Sequence, residues 1–365
     1  MNFLMNKFRE KNLALVNMDN KIIEEKKRKI KVIHCPTNIS NLAWEQSQAL
    51  KNLGVKSLVL TKTKHRFDFD DDICLHCEQI NNIWYRRFIL LKTFLWAISE
   101  FNIFHFYFGQ TLLPHFLDLP ILKLLNKKMV MHYLGSEIRI SAITKKKNKY
   151  WRLLVDPKED AKKQKRMEHV ARYIKLAIIG NYELYDYLKP FFRRIEVIPQ
   201  AIDIKKFYPV FPSPLNKKPL IVHAPTKQNQ KGTPYILKAI KKLEKHYHFQ
   251  FKLISNIKHN QAQKIYRNAD IIIDQILYGD HGVFAVETMA LGKPVICYIR
   301  EDLIKYRPGL PIVSANPDNI YEKLKLLLDN PSLRRELGEK GRKYVEKYHD
   351  SKKIALKIID IFENI

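Results

Sequence analysis

The sequence predicts an α/β protein built of two doubly wound, Rossmann-like domains, and three observations support that class. Short aliphatic, β-branched runs of the kind buried on both faces of a parallel sheet alternate with stretches of helical periodicity. The alternation begins near residue 30, halts across Pro209, Pro212 and Pro214, and begins again at Leu220. The chain has 365 residues, 46% of them hydrophobic, enough for two cores of ordinary size.

Residues 1–29 are polar and basic, with a Glu-Glu-Lys-Lys-Arg run from Glu24, and read as a surface-lying extension. They lack the apolar core and cleavage site of a signal peptide. A strand over 30–35, an amphipathic helix over 42–53 stopped by Gly54, and a strand over 56–60 open the first domain. The acidic run 68–72, Asp-Phe-Asp-Asp-Asp, reads as a solvated turn, because it lacks the sheet context of a metal-binding Asp-x-Asp. A helix over 83–99 carries Trp84, Tyr85, Phe88, Leu91, Leu95 and Trp96, with Arg86, Arg87 and Lys92 between them. Packing on the sheet is its first expected fate, and peripheral contact with an anionic membrane its second. Strands over 103–107 and 129–133 flank a helix near 114–125. Basic runs follow at 145–149 and 158–166, then a buried strand over 174–179.

In the second domain the pattern gives a strand over 220–224, a loop over 225–233, a helix over 234–246, and strands over 249–255 and 270–274. A helix over 283–291 ends at Gly292, a strand holds Val295 and Ile296, and helical stretches cover 331–348 and 352–362. Polar residues concentrate in the loop before the helix that starts at Gly282. That helix begins just beyond a strand's carboxyl end, so its free N–H groups and positive dipole end suit a phosphate. Glu287 lies about one turn in, where its carboxylate can accept hydrogen bonds from a pair of sugar or ribose hydroxyls.

Residues 282–295, Gly-Val-Phe-Ala-Val-Glu-Thr-Met-Ala-Leu-Gly-Lys-Pro-Val, resemble the donor-site signature of the retaining glycosyltransferases of the GT-B fold, family 4. In that signature two glutamates stand eight positions apart, ahead of a small-residue helix and Gly-x-Pro-Val. Glu287 stands at the second, which in the family holds the nucleotide ribose. At the first, which contacts the transferred sugar, stands Gly279, with Asp280 one residue later. The stretch 195–203 with Phe207 and Pro209 resembles the family's Val-Ile-Pro-Asn-Gly-Ile-Asp hinge and sets a domain boundary near Tyr208. Residues 132–139 resemble its His-x-x-Gly-Ser-Asp-x-Arg stretch, with Glu137 in place of Asp. His132 is therefore expected to face the cleft near the transferred sugar; the other reading of it is a buried structural histidine. The family's Arg and Lys, five apart, correspond to Thr226 and Lys231, and Lys227 is the nearest substitute for the Arg.

The resemblance implies a metal-independent retaining transfer from a nucleotide-diphosphate sugar, used as co-substrate with no further cofactor. The acceptor would be a saccharide, lipid-linked or cell-surface polysaccharide. It implies an acceptor domain over 30–208, a nucleotide-sugar domain over 209–348, and a helix over 349–365 that crosses back to the first domain. Lys227, Lys231 and the amides of Gly282, Val283 and Phe284 would hold the leaving diphosphate, Glu287 the ribose, and His132 with Asp280 would order the sugar, with the nucleotide base expected near the loop 256–261. The alternative is a GT-B module that has lost catalysis, as the missing first Glu and Arg allow, and binds an anionic glycan or partner.

The formal net charge is +28. No RNP box or zinc finger accompanies it, so nucleic acid is not an expected partner, and an anionic membrane surface or an acidic acceptor suits the charge as well. Cys35, Cys74, Cys77 and Cys297 make no disulfide framework, and the Cys74-Leu-His-Cys77 pair lacks the second pair that a zinc site wants. No apolar run reaches the ~18 residues of a membrane span, and a cytoplasmic protein is expected.

Overall fold

A computed structural model of the protein describes residues 29–255 and 257–365, so the extension expected over 1–29 lies, except for Lys29, outside the described residues. Seven parallel strands form the first sheet: β1 (Lys31–Cys35), β2 (Lys56–Thr61), β3 (Ile73–Cys74), β4 (Ile103–Tyr107), β5 (Lys128–Tyr133), β6 (Leu176–Ile179) and β7 (Arg194–Val197), in the order 3-2-1-4-5-6-7. Five parallel strands form the second: β8 (Leu220–His223), β9 (Gln250–Leu253), β10 (Ile271–Ile273), β11 (Val295–Cys297) and β12 (Val313–Ser314), in the order 12-11-10-8-9. Each order reverses direction once, between β1 and β4 and between β8 and β10, and ligands of such sheets bind at the carboxyl ends beside the reversal. The all-apolar strands follow from burial on both faces; Ile271, Ile272 and Ile273 have no exposed surface.

Eight helices position the cleft or its supports: α1 (Leu42–Lys51), α2 (Ile83–Glu100), α3 (Asp160–Tyr173), α4 (Thr233–Leu243), α5 (His259–Arg267), α6 (Val283–Ala290), α7 (Pro331–Tyr348) and α8 (Ser351–Glu363). Helix α8 packs on the first domain, where Ile354, Ile358 and Phe362 join Val32, Ile103 and Val130 in one buried cluster. Helix α6 stops where Gly292 takes a positive φ and its amide donates to the Met289 carbonyl, with the Lys293 amide donating to Thr288. The proline-rich linker is fastened there: the Val210 amide donates to the Leu291 carbonyl at 2.9 Å, and the Lys293 ammonium donates to the Val210 carbonyl. Helix α7 then crosses this end closely, because a Cβ on Gly338 would stand 2.2 Å from the Gly292 carbonyl oxygen.

Helix α2 is apolar on two faces. Leu90, Phe94 and Ala97 pack into the first core, as the helical period predicts. Trp84, Phe88, Leu91 and Leu95, spaced as a second helical stripe, are 71%, 60%, 47% and 55% exposed. Among the described residues no helix is long and apolar enough to cross a membrane.

Candidate active site

A cavity of about 280 Å³ opens between the two domains at the carboxyl ends of β1, β2, β8 and β9, with the amino-terminal half of α6 along one side. Glu287 lines it from α6, and its two carboxylate oxygens accept from His259 Nε2 at 2.9 and 3.0 Å. Burial works to lower the His259 pKa, but the hydrogen bond and charge of Glu287, with Glu45 and Asp70, raise it overall. His259 lies within 256–261, where the nucleotide base is expected, but its pairing with Glu287 is not foreseen from the sequence. The helix that it opens does leave a signal: Ala262, Ile265 and Tyr266 repeat at helical spacing and place a helix amino terminus near Lys258.

Lys231 stands behind the start of α6, where its ammonium donates to Asp274 Oδ1 at 2.9 Å and to Gln275 Oε1 at 2.7 Å. Asp274 Oδ2 in turn accepts the Gly282 amide at 3.0 Å. This corrects the expectation that the Gly282 amide stands open for a diphosphate. A carboxylate only 1% exposed needs donors, and the first orphan amide of the helix supplies one beside Lys231. The amides of Val283 and Phe284 follow in the first turn, where a helix supplies no carbonyl partner. Lys227 is exposed at the cap of the short helix Gln228–Lys231, where its carbonyl accepts the Lys231 amide.

Two residues expected in the cleft are placed elsewhere. Asp280 is 2% exposed; its Oδ1 accepts the His281 amide and its Oδ2 accepts Arg307 Nη2, each at 2.8 Å. It is thus spent on a buried ion pair with Arg307, whose position in the chain gives no sign of the pairing. His132 has no exposed surface, and its ring stacks on His105 and Tyr107 at 5.5 and 5.3 Å. Both of its ring nitrogens lack a partner, and burial drives its pKa down to about 3. His34 belongs to the same cluster and donates to or accepts from Tyr107 Oη at 2.7 Å and Ser57 Oγ at 3.1 Å. The cluster lies among β1, β4 and β5 and is capped by Phe362 of α8, so the side of the strand that His132 occupies faces packed helices and not the cleft.

The rest of the 132–139 motif holds its own turn and packs on the loop ahead of α6. Glu137 accepts the amides of Leu134 and Gly135, and Arg139 forms a forked pair with Glu183, Nε to Oε1 at 3.0 Å and Nη2 to Oε2 at 2.8 Å. The Arg139 guanidinium also lies over the Tyr278 ring at 4.8 Å, just ahead of Gly279. Asn148 donates to the Leu277 and Tyr278 carbonyls, which ties the same loop to the first domain.

The acidic run 68–72 is not simply solvated. Asp72 accepts the Val59 amide and Lys51, Asp71 accepts the Thr61 hydroxyl, and Asp68 reaches across the cleft to Lys258 at 2.9 Å. All four cysteines are free thiols. Among the described residues no group of His, Cys, Asp or Glu gathers in an arrangement that could hold a metal ion.

Residues 245–344 match the family model described as glycosyl transferases group 1. An uncharacterized glycosyltransferase of Methanocaldococcus jannaschii is 28% identical over 147 residues, a match covering 33% of this chain and 41% of that protein. The chain therefore spans less than half the length of that relative. Sucrose-phosphate synthase from Thermosynechococcus elongatus is similar in structure, with a TM-score of 0.68 at 15% identity over 92% of this chain and 99% of that one. Anabaena HepE, in a complex with UDP, gives a TM-score of 0.61 at 12% identity over 92% of this chain and 100% of its own. At such identities these two likenesses speak for the fold.

Proposed function

We propose that this chain, which has the GT-B fold and whose residues 245–344 match the model of glycosyl transferases group 1, moves a sugar from a nucleotide-diphosphate sugar to a saccharide or lipid-linked acceptor, with retention and without a metal. The observation that carries this reading is the interdomain cavity with Glu287 on its wall and the start of α6 beside it. Ribose hydroxyls donate to Glu287, and the diphosphate lies toward the amides of Val283 and Phe284. Lys231 is already within reach of that helix start, since its ammonium would stand 3.6 Å from a Cβ on Gly282. Cationic and dipolar groups fixed before the reaction stabilise the charge that grows on the leaving diphosphate. In a retaining transfer the acceptor hydroxyl attacks the face that the diphosphate leaves, and a diphosphate oxygen takes its proton. HepE is a complex with UDP, which makes UDP-sugars the first donors to try.

The exposed stripe of α2 rests on the anionic cytoplasmic face of a membrane, where a lipid-linked acceptor is presented. Its Trp84 and Phe88 suit the interfacial layer, and Arg87, whose guanidinium lies 5.1 Å from the Trp84 ring, suits the headgroups.

A second reading is a non-catalytic binding module, favoured by the engagement of both Lys231 and the Gly282 amide with Asp274. Release of nucleoside diphosphate from a panel of nucleotide sugars separates the two: release above the rate in buffer supports transfer, and none from any donor supports the module.

A further inference from the structure

The loop that follows β2 reaches over the donor cavity and lines it with His65, Arg66, Phe67 and Phe69, all from the first domain. Phe69 is only 8% exposed although it sits on a connecting loop; it stacks on His65 with centroids 4.6 Å apart and meets His259 edge-on at 5.5 Å. Since His259 bonds Glu287, a continuous path of rings leads from the carboxylate that would hold ribose to the roof of the cavity. On the other side stand Tyr266 and Phe284, centroids 4.7 Å apart, with Ala262 beside them. The roof is fastened to the second domain at two points, Arg66 Nη2 to the Thr226 carbonyl at 3.4 Å and Lys258 to Asp68 at 2.9 Å.

A space lined by aromatic and small aliphatic side chains, with the Glu287 carboxylate on its wall, matches a flat base joined to a sugar diol. Every nucleobase has a π-face, and stacking on aromatic side chains is a main source of base affinity. At about 280 Å³ the cavity is near the lower bound of small-molecule sites, ~300 Å³, so it holds a nucleoside portion and leaves the diphosphate and sugar outside, toward α6. We propose that Phe69 and His65 form the base-recognition wall of the donor site, so that the nucleotide is gripped by both domains at once. This inference rests on the nucleotide-sugar reading of the same site.

The test is calorimetric titration of UDP, GDP and ADP, with inorganic pyrophosphate as the probe that has no base, into the full chain and into Phe69→Ala, Phe69→Leu and His65→Ala. Phe69→Leu keeps the apolar volume without the ring face and guards against a folding defect in the alanine variant. The expected result is a loss of about tenfold or more in affinity for the nucleotide that the wild type prefers in Phe69→Ala, and a smaller loss in the other two. Pyrophosphate affinity stays unchanged, and in turnover the donor KM rises while kcat moves less than about twofold. Equal nucleotide affinity in wild type and Phe69→Ala overturns the inference, as does a parallel loss for nucleotide and pyrophosphate. If Glu287→Ala still weakens nucleotide binding in that case, the donor-site reading stands without this wall. A wild type that binds none of the nucleotides removes both.

Discussion

Nε2 of His259 sits almost equidistant from the two carboxylate oxygens of Glu287, at 2.9 and 3.0 Å, on a cavity wall that both domains complete. The charge of Glu287 outweighs burial and holds the His259 pKa above its ordinary value, so the imidazolium is favoured in the folded chain. A group whose pKa is raised on folding adds stability in full below its unfolded value, about 6.5, and loses that contribution as pH rises through the folded value. Thermal unfolding followed from pH 6 to 9 should therefore show a decline that His259→Gln lacks. Identical profiles would mean that the pair does not couple to folding.

The opposite sign applies to the buried histidines. Burial pushes His34, His132, His281 and His349 down to about 3, so they fold neutral and take up a proton on unfolding in acid. Their contribution is present above pH ~6.5 and is lost as pH falls toward about 3. The melting temperature should drop steeply below pH 6, and His132→Phe should make the drop shallower. Because His132 faces the ring cluster and not the cleft, the same variant should keep its donor affinity within about threefold; a hundredfold loss would return it to the site.

Gly338→Ala tests how closely α7 must approach α6. The added methyl meets the backbone oxygen of Gly292, which cannot rotate away, so a loss of about 2 kcal/mol is expected, read as a fall of several degrees in melting temperature. An unchanged melting temperature would show that the two helices can part without penalty.

Helix α2 predicts vesicle binding. Sedimentation with phosphatidylglycerol vesicles should recover the wild-type chain, less of it at high salt, and Trp84→Ser with Phe88→Ser should weaken the partition at least tenfold. Equal recovery with neutral phosphatidylcholine, or no effect of the double variant, would assign the stripe to another partner.

Much of this architecture is legible in the residues, because doubly buried strands such as Ile271–Ile273 and a helix closed by Gly292 leave local marks. The position of Glu287 on α6 is legible for the same reason. What the sequence hides is the set of pairings made at a distance: Asp274 taking the Gly282 amide, Arg307 taking Asp280, and Asp68 crossing to Lys258. Those depend on which loops meet, and residue spacing does not encode that. His132 shows the limit of a motif, since the strand places it correctly along the chain while the neighbouring rings of His105 and Tyr107 on β4 decide what its ring faces.

Calorimetric titration of UDP, GDP, ADP and CMP into wild type and Glu287→Ala decides whether the cleft binds a nucleotide through Glu287. Saturable binding of one nucleotide is expected, weakened at least tenfold in a variant that still melts cooperatively. Binding of none of them to the wild type, or equal affinity in the variant, would contradict nucleotide binding through Glu287.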